Sequence, residues 1–333
     1  MRQGKQHHGF VLILTLLVLF IVALATAYFA ERVARSVALA EQYQQNANAL
    51  VNMESTRSEV LYRLATTSVT EYGLGRGNAV ISLDNRPYLA SGDTVVSIQD
   101  ERGLFNLNAF DSDRMNRLLG LMGTPADQRA HLIDTLRDYT DPDDLHRLNG
   151  AEKEEYLALN LPPPPNRFLV SPWEAKAIIG WRSASNLWQN NRLPQLTSAS
   201  PKTDLNPNTA PAEVLATLPG VTAEIAQRII AARQITPITN LVQFGAITEL
   251  PTQAFEEIIS ILPSNSLRIT QSAPGMAWAV QYNVILTPRD DQAPWQISYS
   301  GRIADIRPAA GQATATSPPL PPRSMAPAET PPP

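Results

Sequence analysis

Apolar positions along this chain change period three times. Over residues 9–30 they are nearly continuous: Gly9-Phe10-Val11-Leu12-Ile13-Leu14-Thr15-Leu16-Leu17-Val18-Leu19-Phe20 opens a run that meets no charge before Glu31. At about 20 residues such a run is long enough to cross a bilayer as one helix. Over 31–72 the apolar positions thin to a stripe. Val33, Val37, Ala40, Ala47, Leu50, Leu61 and Leu64 follow helical spacing, while Glu31, Arg32, Arg35, Glu41, Gln44, Gln45 and Arg57 occupy the rest of the surface. Neither Gly nor Pro interrupts 10–72, so the spacing predicts a single helix approaching ~90 Å at 1.5 Å per residue. The stripe can serve a free coiled coil, or pack partly on its own head and partly on neighbouring subunits.

Gly73, Gly75 and Gly77 are expected to stop that helix. Short strands follow: Val80-Ile81-Ser82-Leu83, a turn at Asp84-Asn85, and the β-branched Thr94-Val95-Val96-Ser97-Ile98. Asp100-Glu101-Arg102-Gly103 reads as a turn into Leu104-Phe105-Asn106-Leu107-Asn108. From 109 to 262 the period is helical. Residues 115–121 and 130–136 form a predicted pair joined near Gly123-Thr124-Pro125. An acidic loop, Asp138-Tyr139-Thr140-Asp141-Pro142-Asp143-Asp144, precedes Asn149-Gly150-Ala151-Glu152 and a short helix holding Tyr156. Prolines 162–165 mark a rigid loop. Ser171-Pro172-Trp173-Glu174 is a helix start, with Ser as cap, Pro in the first turn and Glu three residues on; Gly180 ends it. Asn206-Pro207-Asn208-Thr209-Ala210 leads to a helix–hairpin–helix pattern turning at Leu218-Pro219-Gly220, where Gly permits the tight turn and Thr222 can cap the second helix. Leu241, Phe244, Leu250, Phe255, Ile258 and Leu262 suggest a second helix pair. Strands return at 267–270, 277–286 and 296–303. Residues 307–333, rich in Pro, Ala, Ser and Thr and read as lacking large apolar side chains, are expected to be disordered.

Composition narrows the chemistry. A chain of 333 residues has room for two domains or one with a large insertion, and 44% hydrophobic content supplies a core. The absence of cysteine excludes disulfides, thiol catalysis and cysteine-held metals. A net charge of −4 argues against a protein dedicated to nucleic acid. The leader carries Arg2, Lys5, His7 and His8, which keeps it on the cytoplasmic side and places everything after Glu31 outside. One reading of the leader is a secretory signal peptide cut after the small residues Ala25-Thr26-Ala27. The other is a prepilin-type leader cut between Gly9 and Phe10, which leaves the apolar helix on the mature chain as its anchor. The unbroken continuation of the helix beyond residue 30 favours the second. No enzyme is expected: His7 and His8 leave with the leader, His131 and His146 have no nucleophile motif nearby, and no phosphate loop or His-based metal pair occurs.

Two stretches carry candidate binding chemistry. Asp141, Asp143 and Asp144 crowd one loop, and Asp138 and Glu152 can converge on it, giving a hard oxygen cage of the kind calcium takes; the spacing is not that of an EF-hand. The Leu218-Pro219-Gly220 hairpin is of a type that presents backbone N–H groups to DNA phosphates. Around it, however, only Lys202, Arg228 and Arg233 are basic, against Asp204, Glu213, Glu224, Glu249, Glu256 and Glu257, so a packing role is expected and no nucleic acid.

Taken together, Gly9-Phe10 with its apolar helix, residues 100–108, residues 138–156 with Asn149-Gly150-Ala151-Glu152, Asn206-Pro207-Asn208-Thr209-Ala210 and the Leu218-Pro219-Gly220 hairpin resemble the K-type minor pseudopilins of the type II secretion system, over roughly 9–303. The resemblance implies an α+β, pilin-like fold, with a long N-terminal transmembrane helix packed on a small antiparallel sheet and a large inserted all-α domain containing helix-hairpin-helix motifs. It divides the chain into a leader (1–9), a transmembrane helix (10–30), helix continuation and first strands (31–108), the insert (109–262), closing strands (263–306) and the tail (307–333). It further implies calcium in the head, a methylated N-terminus at Phe10, a single pass through the bacterial inner membrane with a periplasmic head, and as partners the prepilin peptidase and the other minor pseudopilins. Pilin-class subunits mostly carry Glu at the fifth mature position, paired with the amine of the subunit above; here that position is Leu14. A membrane carboxylate is costly without a partner, and a subunit at the tip has none above it. The alternatives are a membrane-tethered hairpin module that binds DNA and an atypical type IV pilus subunit.

Overall fold

A computed structural model of the chain describes residues 8–200, 204–304 and 318–321. Most of the leader, Lys202 and the rest of the tail lie outside these residues. The chain divides into two compact units at Val51. The first holds helix α1 (His8–Thr66) as far as Val51, apolar before Glu31 and mixed after it. Its side chains from Val11 through Leu24 stand exposed, Leu14 at 49%, so this helix is apolar on every side and has no protein core to enter. Among the described residues it is the one helix long and apolar enough to cross a membrane.

The second unit begins with the last turns of α1. The helix ends at Thr66, short of the expected Tyr72. Thr66, Thr67, Val69 and Thr70 are β-branched and lose rotamer freedom in a helix; Val69–Thr70 (β1) instead pairs with Gly73–Leu74 (β2). Gly73 has another task than stopping the helix. At φ +130° its missing Cβ leaves room for the Ile81 carbonyl, which a Cβ would meet at 2.3 Å.

Asp84–Leu89 (β3) and Val95–Asp100 (β4) form the first ladder of a five-stranded antiparallel sheet. The expected turn at Asp84-Asn85 is thus the start of a strand: Asn85, at φ +65°, sits in an irregularity of the β3–β4 register between Asp84 and Pro87. Phe105–Asn106 (β5) leaves the sheet. The helical block then runs through Ser112–Leu121 (α2), Ala126–Thr140 (α3), Lys153–Ala158 (α4), Ser185–Trp188 (α5), Arg192–Leu196 (α6), Thr197–Ser198 (β6), Ala212–Leu215 (α7), Ala223–Ile235 (α8) and Leu241–Thr248 (α9). Ser266–Ser272 (β7), Trp278–Leu286 (β8) and Trp295–Ala304 (β9) close the sheet in the order β3-β4-β7-β8-β9. β4 and β7 are therefore neighbours in space, and everything between them in sequence is an insertion.

Two cores result. One face of the sheet packs Tyr88, Val96, Ile98, Ile269, Tyr282 and Val284 against Val60, Leu61 and Leu64 of α1. The other core lies within the insert, around Met115, Leu136, Tyr156, Trp181 and Phe244, and Phe105 and Leu107 belong to it; β5 pairs with β6 in parallel, apart from the main sheet. The Ser171 start is a 3-10 helix, Pro172–Ala177. Ser171 caps Trp173, while Glu174 accepts from the Val170 N–H at 2.6 Å and pairs with Arg167 at 3.0 Å. In place of a second helix pair, α9 is followed by a single 3-10 turn, Thr252–Phe255. Within the tail, residues 318–321 run extended beside β3, and Leu320 packs against the sheet core. The reading of that tail as wholly disordered overlooked Leu320, a large apolar side chain among the prolines.

Candidate metal centre

The last turn of α3 brings Asp138 to the floor of the acidic loop, fully buried. Its carboxylate is saturated. Oδ1 accepts from Arg147 Nη1 at 2.6 Å, and Oδ2 accepts from the backbone N–H groups of Arg147 at 3.2 Å and Ala151 at 3.0 Å. This fit explains Gly150, since a Cβ there would stand 1.7 Å from Asp138 Oδ2. Asn149 is fixed by Asp134, which accepts from its backbone N–H and from its amide. The Asn149-Gly150-Ala151 turn is therefore shaped around two α3 carboxylates.

Arg147 also donates to Asp141 Oδ2, and so bridges two of the candidate ligands. Sequence reasoning had no place for this arginine: nothing in the spacing of the acidic loop marks a cation reaching back into it. Asp143 and Asp144 lie on the exposed rim, where Asp143 accepts from the Leu145 N–H and Asp144 from the Asn166 amide, both at 2.9 Å.

Glu152 differs from all of these. It is 6% exposed and caps α4, its side chain facing the Glu155 N–H in a capping box, yet neither carboxylate oxygen reaches full hydrogen-bond geometry; Asp141 Oδ1 is also buried without a partner. Burial, and then the charges of Asp138, Asp141, Asp144 and Asp143, push the Glu152 carboxyl up to about 7. As placed, no three acidic or histidine side chains among the described residues form a closed metal cage; Arg147 stands between Asp138 and Asp141. The orphaned oxygens of Asp141 and Glu152 are hard donors in a field of like charge, the donor type that calcium takes, and among the described residues no third acidic side chain joins them.

A second buried cluster ties the insert to the sheet. Asp100, at the end of β4, is fully buried. Oδ1 accepts from Arg102 N, Ser264 N and Ser264 Oγ, and Oδ2 from Asn206 Nδ2 and Thr209 Oγ1. The Asn206-Pro207-Asn208-Thr209-Ala210 turn is thus a plug for this carboxylate. Next to it Glu101 pairs with Arg268 at 2.8 Å, both nearly fully buried.

The Leu218-Pro219-Gly220 turn joins α7 and α8. Gly220 adopts φ +71°, and Thr222 caps α8 by accepting from the Ile225 N–H at 3.3 Å. Leu218 and Val221 are core residues. Arg228 pairs with Glu249 at 2.7 Å, and Arg233 donates to the Pro207 and Ala210 carbonyls at 2.7 and 2.6 Å. Of the two described arginines of 204–262, Arg233 is therefore spent inside the fold, while Arg228 pairs with Glu249 at the surface. Gly9 and Phe10 lie in the first described turns of α1.

Two family models described as type II secretion system protein K match the chain, at residues 99–232 and 205–261. The chain is 28% identical over 177 residues to the type II secretion system protein K of Klebsiella pneumoniae, covering 46% of this chain. The match spans about half of that relative's length, 52%. In fold, the chain is similar to a chain in the crystal structure of the GspK-GspI-GspJ complex of enterotoxigenic Escherichia coli, with a TM-score of 0.58 and 18% identity, over 80% of this chain and 99% of that one.

Proposed function

We propose that the chain is a member of the protein K family of the type II secretion system, a minor pseudopilin at the tip of the pseudopilus, structural and not enzymatic. The observation that carries this reading is the insertion of a large helical block between the adjacent strands β4 and β7 of a small antiparallel sheet, in a chain that starts with a long apolar helix. So bulky a head is tolerated where no subunit has to stack above it. Leu14 agrees: with no subunit above, a membrane carboxylate at this position would find no amine to pair with. The apolar helix anchors the chain in the inner membrane with the head in the periplasm, after the prepilin peptidase cuts between Gly9 and Phe10 and the new N-terminus is methylated. Partners are the other minor pseudopilins, met through the apolar stripe of α1. The hairpin at Leu218-Pro219-Gly220 is a helix-hairpin-helix element used for packing within the insert, its arginines being occupied by internal carbonyls and Glu249.

Calcium belongs to the same proposal. The unpartnered oxygens of Asp141 and Glu152 would hold it, with Asp143 and Asp144 at the rim. The ion would neutralise a loop that one arginine leaves anionic.

Labelling of the head in assembled pseudopili tests the position. A single label at one end is expected, and a label repeated along the shaft would overturn the assignment. Leu14→Glu should bring no gain in secretion. Intact mass should place the mature N-terminus at Phe10; a start near Tyr28 instead would mean a cleaved signal peptide and no helical anchor.

A further inference from the structure

β3 is an outer strand of the sheet. An outer strand offers unpaired N–H and C=O groups to any extended chain that comes alongside. Along β3 part of this offer is withdrawn: Pro87 has no N–H, and Arg86 and Asp84 place a charge pair at the near end. Leu89, at the far end, is the open position, and residues 318–321 of the same chain sit on it. The Leu89 N–H donates to the Pro318 carbonyl at 2.8 Å, and the Leu320 N–H donates to the Leu89 carbonyl at 2.8 Å.

Two side chains complete the seat. Leu320 packs against the sheet core. Arg63, 8% exposed, donates from Nη1 to the Pro321 carbonyl at 2.7 Å. Its Nε and Nη2 are held by Glu59 Oε1 at 3.1 and 2.6 Å, which fixes the guanidinium before the segment arrives.

The composition of the segment suits an ending. Pro318, Pro319 and Pro321 carry no N–H, and the one donor of the four residues, on Leu320, is used on Leu89. An ordinary strand added here would move the open edge outward by one position. A proline strand leaves no donor on its far side, so the sheet stops. Proline also holds the segment extended beforehand, which lowers the entropy lost on docking.

We propose that Leu89, Arg63 and the apolar surface under Leu320 form a docking groove for an extended, proline-rich peptide with leucine between prolines, and that this chain's own 318–321 segment fills it in cis, closing the β3 edge to strand addition. A tethered occupant competes at the high effective concentration of an intramolecular partner. A free peptide of the same sequence therefore binds only once the tether is cut.

The test uses a chain ending at Ala304, held in detergent micelles, and a labelled peptide of residues 314–325. Saturable binding to the shortened chain is expected, at least tenfold weaker on the full chain, and lost when the peptide carries Leu320→Asp. Arg63→Met in the shortened chain should weaken it; the peptide variant keeps the test decisive if Arg63→Met unfolds the protein. In the full chain, Leu320→Asp should speed hydrogen exchange at the Leu89 amide. No binding to the shortened chain, equal binding to both chains, or equal binding of the Leu320→Asp peptide would each overturn the proposal.

Discussion

Around Asp100, both carboxylate oxygens are met by donors: Arg102, Ser264, Asn206 and Thr209 converge from separate parts of the chain. Around Glu152, nearly as deeply buried, the neighbours are other carboxylates, and the capping-box N–H of Glu155 faces it without a full hydrogen bond. The same chemical group therefore meets opposite surroundings in one head. Ringed by neutral N–H and O–H groups, a buried carboxylate organises the backbone that supplies them. Ringed by anions with a single arginine, it leaves a demand for positive charge. Burial alone does not separate a structural acid from a ligand; the inventory of partners does.

The largest effect should come from breaking the saturated cluster. Asp100→Ala leaves the Ser264 N–H, Asn206 amide and Thr209 hydroxyl buried without an acceptor and should cost about 4 kcal/mol in urea unfolding, equally with calcium and with chelator. A loss that depends on calcium would erase the contrast between the two clusters. Next comes the unsaturated cluster. Wild-type protein should gain about 2.7 kcal/mol when calcium reaches a hundred times its Kd, and Asp141→Ala should abolish that gain; superimposable melts with calcium and chelator would reject the metal. The smallest effect is the most diagnostic. In chelator, Glu152→Gln removes a buried charge that repels its neighbours and supplies an amide donor, so stability should rise by about 1 kcal/mol, whereas with calcium the variant should be less stable than wild type. A destabilised Glu152→Gln in chelator would mean that Glu152 is structural after all.

Much of this was legible in the sequence where local pattern decides. The apolar helix, the pair α2–α3 and the strands β7, β8 and β9 follow from period and breakers, because side chains near in sequence settle those elements. Glu152, Asp138 and Asp141 could be named as acids of one loop region, since they lie close along the chain. What was not legible depends on distant residues. Asp100 looks like an ordinary turn residue until Ser264 and Asn206 arrive from far away. Arg147 is one arginine among many until α3 positions Asp138 beneath it. Asp84-Asn85 has turn chemistry, but β4 recruits it as the irregular start of a strand. Leu320 has no local partner and gains one only from β3 and α1.

The knot at Asp100 also bears on how the chain finds its fold. β4 cannot pair with β7 until segments 164 residues apart meet, as Ser264 and Asp100 do. Closing so long a loop in an unstructured chain is slow, because its entropy is lost before any ladder bond is made. The insert has its own core and can condense first from local helix contacts. Once it has, Asn206 and Thr209 bind Asp100 at one end and the chain emerges at Ser264 beside it, so β7 is delivered to β4 over a gap of a few residues. The helical block is then the part of the molecule that makes the sheet quick to assemble, and unfolding it should unzip the sheet at β4–β7, between the strands it joins.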